Sequence, residues 1–275
     1  MEWGRLKNLI ILILLIVNGF LLVLVATRRE ESARYERMAL EQTVQALERR
    51  GVQVEAEALT GAEGLSPMTA ERDMEREAKL VRTLLDAEVQ GDNRGGGVYL
   101  YQGALGEVSL RAGGELTAQL ARDEHWRADR PESHAAGLLR RLGIEGEQLG
   151  VSQEGGETRV WFRQSWNGVP VFSCELELVY RDGLLSAIEG TLLLAAESGE
   201  EEARPLTLST ALLRFSEEVG ATGDVYSAIR SMRPGYRTFA QSVSGGVRLT
   251  PVWLVSTDTA DYYLDCATGG LTRVE

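Results

Sequence analysis

The sequence predicts an α+β protein in which a single N-terminal transmembrane helix precedes an extracytoplasmic part of antiparallel sheets, each packed with a helix. Three observations lead to this fold class. Leu9–Ala26 is an uncharged run of 18 residues, long enough for a helix that crosses a bilayer. Apolar residues at helical spacing are then followed by short alternating strands. The pairs Asn167-Gly168 and Asp182-Gly183 separate those strands, as two-residue hairpin turns do.

The apolar run Leu9–Ala26 is about 27 Å long as a helix, close to the hydrocarbon thickness of a bilayer. A cleaved signal peptide is the alternative, but its apolar core would be shorter. In addition, Leu24 stands three positions before the cleavage point that Ala26 would mark, where a small residue is needed. We therefore expect a permanent anchor, with a short cytoplasmic tail over residues 1–8 and a transmembrane helix over residues 9–27.

The flanking charges do not decide the orientation of this anchor, because Lys and Arg occur on both sides of it. A short tail ahead of a long folded part favours a cytoplasmic N terminus. We expect a single-pass protein of the cell membrane whose other domains lie outside the cytoplasm.

A first extracytoplasmic α+β domain is expected over residues 28–130. Its first helix continues the membrane helix to Arg50, with Leu40, Val44 and Leu47 at helical spacing and Gly51 as the stop. Thr69 is the expected cap of a second helix. A loop at Gly91–Gly97 and three strands follow: Val98–Gln102, Glu107–Arg111 and Glu115–Leu120.

A second extracytoplasmic domain is expected over residues 131–275, built from two helix-plus-meander units at 131–197 and 205–275. Pro131 opens the helix of the first unit, and Thr207 or Ser209 caps the helix of the second. Ser198–Pro205 is the expected linker. The predicted strands are Arg159–Trp166, Val171–Tyr180, Leu184–Ala195, Tyr236–Ser242, Arg248–Ser256, Tyr262–Cys266 and Leu271–Val274.

Composition narrows the classes of partner. The formal net charge is −12, which repels phosphate and argues against nucleic acid as a partner. Two cysteines, Cys174 and Cys266, are too few for a disulfide scaffold or a metal cluster. In an oxidising exterior they could pair; alternatively, they are two small buried apolar residues.

Catalytic patterns are scarce in this sequence. His125 and His134 belong to no metalloprotease motif, and no nucleophile elbow or phosphate-binding loop occurs. Asp258, Asp261 and Asp265 lack the order of ligands of a calcium loop, so turn and strand-end roles are favoured. We expect no enzyme, no metal and no cofactor.

Asn18 is the polar interruption of the apolar run, and Gly19 follows it. An amide near the bilayer centre gains about 0.6–2 kcal/mol from a hydrogen bond to another helix. Gly19 would let that helix approach closely. We expect Asn18 and Gly19 to contact a partner's membrane helix; the alternative is that Asn18 bonds to its own backbone or to local water.

Three stretches resemble the YycI family of Gram-positive bacteria. The start MEWGRLKNLIILILLIVNGFLL, Met1–Leu22, is similar to the N terminus of these proteins. NGVPVFSCELELVYRDGLLSAIEG, Asn167–Gly190, and PVWLVSTDTADYYLDCATGGL, Pro251–Leu271, resemble the PepSY-like units that recur in YycI and its sister family YycH. Cys266 stands where such units usually have alanine, and Val52–Arg130 matches only in pattern.

The resemblance implies a regulatory protein of a two-component system. YycI-like proteins, together with a YycH-like partner, restrain the WalK (YycG) sensor histidine kinase that controls cell-wall metabolism, largely through membrane helices. The expected partners are this kinase, the YycH-like protein and the lipid bilayer. The alternative function is a membrane-tethered PepSY-type module that binds or inhibits an extracellular protease.

Overall fold

The computed structural model describes residues 2–201, 203–240 and 246–274, and it confirms the α+β class. The first part of the chain forms one long helix and two short strands: α1 (Glu2–Arg49), β1 (Gln53–Val54) and β2 (Met68–Arg72). Single 3-10 turns lie at Ala56–Ala58 and Glu124–Trp126.

Three copies of one unit follow, each an α-helix with a four-stranded antiparallel meander. Unit one contains α2 (Met74–Leu85), β3 (Asp92–Gly95), β4 (Val98–Gly103), β5 (Gly106–Arg111) and β6 (Glu115–Leu120). Unit two contains α3 (Pro131–Leu142), β7 (Gly146–Glu154), β8 (Glu157–Trp166), β9 (Val169–Arg181) and β10 (Leu184–Thr191). After β11 (Ala195–Glu200), unit three contains α4 (Leu208–Thr222), β12 (Ala228–Ala240), β13 (Val247–Thr257), β14 (Asp261–Asp265) and β15 (Leu271–Arg273).

Units one and two share one sheet. Their last strands, β6 and β10, pair antiparallel, with Ala118 opposite Ile188. The strand order is therefore β3-β4-β5-β6-β10-β9-β8-β7. Leu84 of α2 and Leu138 of α3 belong to the same buried cluster as the inner face of this sheet, so the two helices cover one face and leave the other open.

Unit three joins this sheet along β9 and β12, where Tyr236 bridges Val171 in parallel. A Cβ on Gly235 would lie 2.4 Å from the ring of Phe172 and 2.7 Å from the carbonyl oxygen of Pro170. Only glycine fits that contact, so Gly235 permits the close approach of the two strands. On its other side β13 pairs with β2, and β2 pairs with β11.

The predicted hairpins and the first helix of the predicted second domain are confirmed. Asn167 and Gly168 have φ values of 49° and 79°, and Asp182 and Gly183 have values of 52° and 76°, as a type I′ turn requires. The α3 helix spans Pro131–Leu142, as Pro at its first position predicts.

Thr69 does not cap the second helix, and that prediction was wrong. It lies in β2, paired with β11 and β13. Asp73 is the cap instead, and its carboxylate accepts hydrogen bonds from the N–H groups of Glu75 and Arg76, each at 3.0 Å. The sequence prediction placed the helix start four residues too early. Residues 68–72 form a strand instead, because they pair with strands that are distant in sequence.

Two further predictions need correction. Ser198–Pro205 is not wholly a linker, since its first three residues belong to β11. Gly91–Gly97 is not wholly a loop, since Asp92–Gly95 forms the edge strand β3. The prediction missed β7 and the first eight residues of β12. Residues 241–245, which include Ser242 at the end of a predicted strand, lie outside the described part.

The predicted division at residue 130 stays a prediction; β6 and β10, which lie on either side of it in sequence, are neighbours in one sheet. Within the described residues, no helix combines the length and apolar character needed to cross a membrane. Of the predicted segment Leu9–Ala26, the side chains of Leu9, Val25 and Ala26 lie outside the described part.

Candidate interaction site

The N-terminal half of α1 presents apolar side chains on all sides. Thirteen large apolar residues between Ile10 and Leu24 are 38% to 73% exposed. Asn18 lies in the middle of this stretch and is also exposed. A Cβ on Gly19 would have nothing within 4 Å. Both predicted partner-contact residues therefore lie on a helix segment whose surface is open.

The C-terminal end of α1 is anchored in the core of unit three. Val44 and Leu47 are buried with Phe215 of α4, and Leu40 packs against the same cluster. The helix then stops at Gly51, which has a φ of 88°. The N–H of Val52 donates to the carbonyl of Leu47 over 3.1 Å, so the helix enters the folded part without a loop.

The predicted contact residue and the anchored end share one side of α1. At about 100° per residue, Leu40 and Leu47 project within about 40° of Asn18. Gly19 projects about 80° from Leu47 by the same reckoning. A helix that touches Asn18 would therefore lie on the same side of α1 as unit three.

Residues 27–38 separate these two halves and are called the stalk here. Its described side chains are exposed, including Tyr35 at 68% and Met38 at 41%. From Leu24 to Leu40 the helix rises about 24 Å. The stalk is continuous helix within α1, so rotation of one half about the helix axis is transmitted to the other.

Each of the two histidines lies against an aromatic side chain of the fold. His134 on α3 lies with its Nδ1 3.0 Å from the hydroxyl oxygen of buried Tyr180. Burial, and then the positive charge of Arg141, lower the pKa of His134 below its usual value. His125 packs edge-on against its neighbour Trp126, with ring centroids 4.8 Å apart.

Two of the three C-terminal aspartates hold turns, as the sequence suggested. Asp258 accepts hydrogen bonds from the hydroxyl and N–H of Ser227 and from the N–H of Ala228, which lower its pKa to about 2. Asp265 accepts from the N–H groups of Ala267 and Thr268. Across the described residues, no group of three or more His, Cys, Asp or Glu side chains is placed to hold a metal ion.

A buried ion pair lies where β2 meets α2. The guanidinium of Arg72 donates to both carboxylate oxygens of Glu77, over 2.5 and 2.6 Å, and also lies over the ring of Tyr99. Its side chain is 12% exposed and that of Glu77 is 6% exposed. The pair lines a cavity of about 20 Å³ beside Cys174, large enough for about one water molecule.

Both cysteines are free and buried, in different clusters. Burial raises the pKa of the Cys174 thiol to about 12, and it also raises the pKa of Cys266. This confirms the interpretation of the two cysteines as small buried apolar residues rather than a pair.

Two solved structures resemble this chain. An uncharacterized protein from Eubacterium rectale ATCC 33656 has a TM-score of 0.52 and 12% sequence identity, over 77% of this chain and 86% of that chain. The C-terminal domain of YpeB from Bacillus megaterium has a TM-score of 0.38 and 10% identity, over 74% of this chain and 99% of that one. The first likeness shows a shared fold. No protein-family model and no curated protein matches the chain significantly.

Proposed function

We propose that this protein is a membrane-anchored regulator that restrains a sensor histidine kinase of the WalK type, together with a YycH-like partner. The N terminus is cytoplasmic, the N-terminal half of α1 lies in the bilayer, and the three units lie outside the cytoplasm. One observation carries the proposal: an apolar helix segment, exposed on all sides, is continuous with a segment anchored in the fold.

The energetics of the exposed segment support a lipid environment. A helix that is apolar all round is stable only when it is covered. Thirteen Leu, Ile, Val and Phe side chains favour membrane insertion by about 4 to 8 kcal/mol on the insertion scale. Asn18 opposes insertion, and a hydrogen bond to another membrane helix offsets that cost.

The polar chemistry of the folded part supports a binding role rather than catalysis. Asp258 and Asp265 are occupied by turn N–H groups, and Glu77 is occupied by Arg72. His134 lies against Tyr180. These groups stabilise the fold in the arrangement they have, and the resemblance to YycI proteins supplies the class of partner.

The substitution Asn18→Leu tests the proposal. It removes the amide and makes the segment more apolar, so membrane insertion persists while association with the kinase falls about 3- to 30-fold, the equivalent of 0.6–2 kcal/mol. Val17→Leu is the matched control, since it keeps Asn18 and changes an adjacent face. The measurements are copurification with the kinase from native membranes and resistance to carbonate extraction.

Unchanged association in the Asn18→Leu variant would contradict a contact through this residue. The protease-binding alternative acts through the folded part alone, so it predicts that outcome, together with retained protease binding. Loss of the wild-type protein itself on carbonate extraction would contradict the anchor.

A further inference from the structure

One face of unit three carries arginine and aromatic side chains, whereas the chain as a whole is acidic. Ile229 and Met232 of β12 belong to the cluster that contains α4. Alternate residues of a strand share a face, and β12 pairs with β13 in regular register from Ser231 onwards. Arg233, Arg237 and Phe239 therefore lie on the side away from α4. With Tyr263 of β14, they form what we call the outer face.

Arg237 is held in place by aromatic rings on this face. Its Cζ lies 4.4 Å from the ring centroid of Tyr263 and 5.2 Å from that of Phe239. Tyr263 is in turn 5.9 Å from Phe172, between ring centroids. Such stacking is favourable for a guanidinium and fixes the direction of its N–H donors before any ligand arrives.

The positive charge of the outer face is poorly neutralised. Arg237 forms no salt bridge within the part of the chain that the structure describes, and its cross-strand neighbour Thr250 is uncharged. Arg233 has its nearest carboxylate, Glu147, at 3.8 Å. Glu175 and Asp261 also act on Tyr263, but Glu175 is paired with Arg163. Arg237 is thus a stacked cation without a salt bridge among the described residues, and it favours an anionic group.

An apolar contact adjoins this charge. Phe239 is 46% exposed, and Tyr263 is half-buried. Arginine and aromatic residues together are typical of the residues that dominate binding energy at protein interfaces. A polyanion gains affinity by summing many cation contacts. Two further arginines described near this face, Arg163 and Arg248, are already paired with Glu175 and Glu201, so a carboxylate next to an apolar side chain fits it better.

We propose that the outer face binds an extended acidic segment of a partner protein. One carboxylate of that segment pairs with Arg237, and an apolar side chain lies on Phe239. Arg237 and Phe239 are two residues apart on one strand, which places their Cα atoms about 7 Å from each other. Residues i and i+2 of an extended segment have the same spacing, so the structure assigns a Glu-x-Leu pattern to the ligand.

An array of labelled 12-residue peptides tests this assignment on the full chain in detergent micelles. Each peptide carries one Glu and one Leu, adjacent or separated by one or two residues, with a Gln counterpart for each Glu. We expect Glu-x-Leu to bind about tenfold more tightly than its Gln counterpart, as a charge-assisted hydrogen bond gives. Arg237→Ala should weaken binding because it removes the cation. Arg237→Lys should also weaken it, because lysine lacks the planar guanidinium that stacks on the rings.

The matched control is Arg214→Ala, which removes an exposed arginine of α4 on the opposite side of unit three. It should leave peptide affinity unchanged. Absence of binding, equal affinity for Gln peptides, or equal affinity at all spacings would overturn the proposal. The proposal would also be overturned if inorganic polyphosphate bound more tightly than the peptides and its affinity were unchanged by Phe239→Ser. A dimer that depends on Arg237, seen in sedimentation, would overturn it as well. The membrane-helix proposal can fail while this site stands, since Asn18→Leu does not touch it.

Discussion

Inserting alanines into the stalk between Glu31 and Ser32 should change kinase restraint with the period of an α-helix. Each inserted residue turns the folded part by about 100° and raises it by about 1.5 Å. Four residues leave Leu47 within about 40° of its original direction relative to Asn18, and seven residues leave it within about 20°. Two or five residues turn it by about 140° to 160° from that direction. We therefore expect restraint with four or seven insertions and its loss with two or five.

The expected size of this loss of restraint is set by the free energy of the contact that the partner loses. We take the partner to contact both Asn18 and the folded part on one side of α1. A partner that can no longer reach both loses one of the two contacts. For the membrane contact this is about 0.6–2 kcal/mol, or about 3- to 30-fold in association. Energy transfer between labelled protein and kinase in nanodiscs measures it, with kinase autophosphorylation as the second readout.

A Gly-Gly-Ser insertion of matched length is the control, because a flexible joint should abolish the dependence on phase. A smooth decline with the number of alanines would refute the argument from rotation, since only distance would then matter. Equal restraint in all variants would refute any role for a rigid stalk.

Three further predictions concern the folded part. Glu77→Leu leaves the buried Arg72 unpaired and should lower the free energy of unfolding by about 3–5 kcal/mol, while the added change Arg72→Met should restore much of it; chemical denaturation followed by tryptophan fluorescence measures both, and a double variant less stable than the single would contradict the pairing. Cys174 and Cys266 should react with a thiol reagent only on unfolding, because burial and raised pKa values suppress the thiolate, and rapid labelling of the native protein would disprove this. Because the pKa of His134 is lowered in the folded protein, the unfolded state binds the proton more tightly than the folded state. The stability of the fold is therefore fully retained above about pH 6.5 and is lost as the pH falls through the folded-state pKa. His134→Gln should flatten that part of the profile of stability against pH.

Local sequence cues were enough for the elements that local interactions decide. Asn167-Gly168 and Asp182-Gly183 predicted hairpins because both residues of a type I′ turn need positive φ. Pro131 predicted the start of α3 for a similar reason, since its fixed φ suits a first helical position. The apolar spacing of Leu40, Val44 and Leu47 predicted a helix, and the structure buries Val44 and Leu47 in it.

Long-range pairing decided what the sequence could not predict. Thr69 resembled a helix cap, but residues 68–72 pair with β11 and β13 instead, more than 120 residues away. The strand β7 is exposed along most of its length, and Leu149 and Val151 are its two alternating apolar residues, too few to predict a strand. Unit one has the same helix-plus-meander order as units two and three, but its first strand, Asp92–Gly95, reads as a polar glycine loop.

The candidate sites were predictable to different degrees. Asn18 was evident from the apolar run that it interrupts. Its placement on the same side as Leu47 needed an unbroken α1, which only the structure supplies. Arg237 gave no signal in the sequence, because its importance depends on Tyr263, a residue of another strand whose ring it stacks against.

Photocrosslinking from position 18 tests the central claim most directly. A photoreactive amino acid at Asn18 should crosslink in native membranes to a membrane helix of the sensor kinase. At Phe20, which projects about 200° from Asn18, the same probe should give mainly lipid adducts. Lipid adducts alone at both positions, or the same protein adduct in equal yield at both, would contradict a partner contact on the Asn18 side of α1.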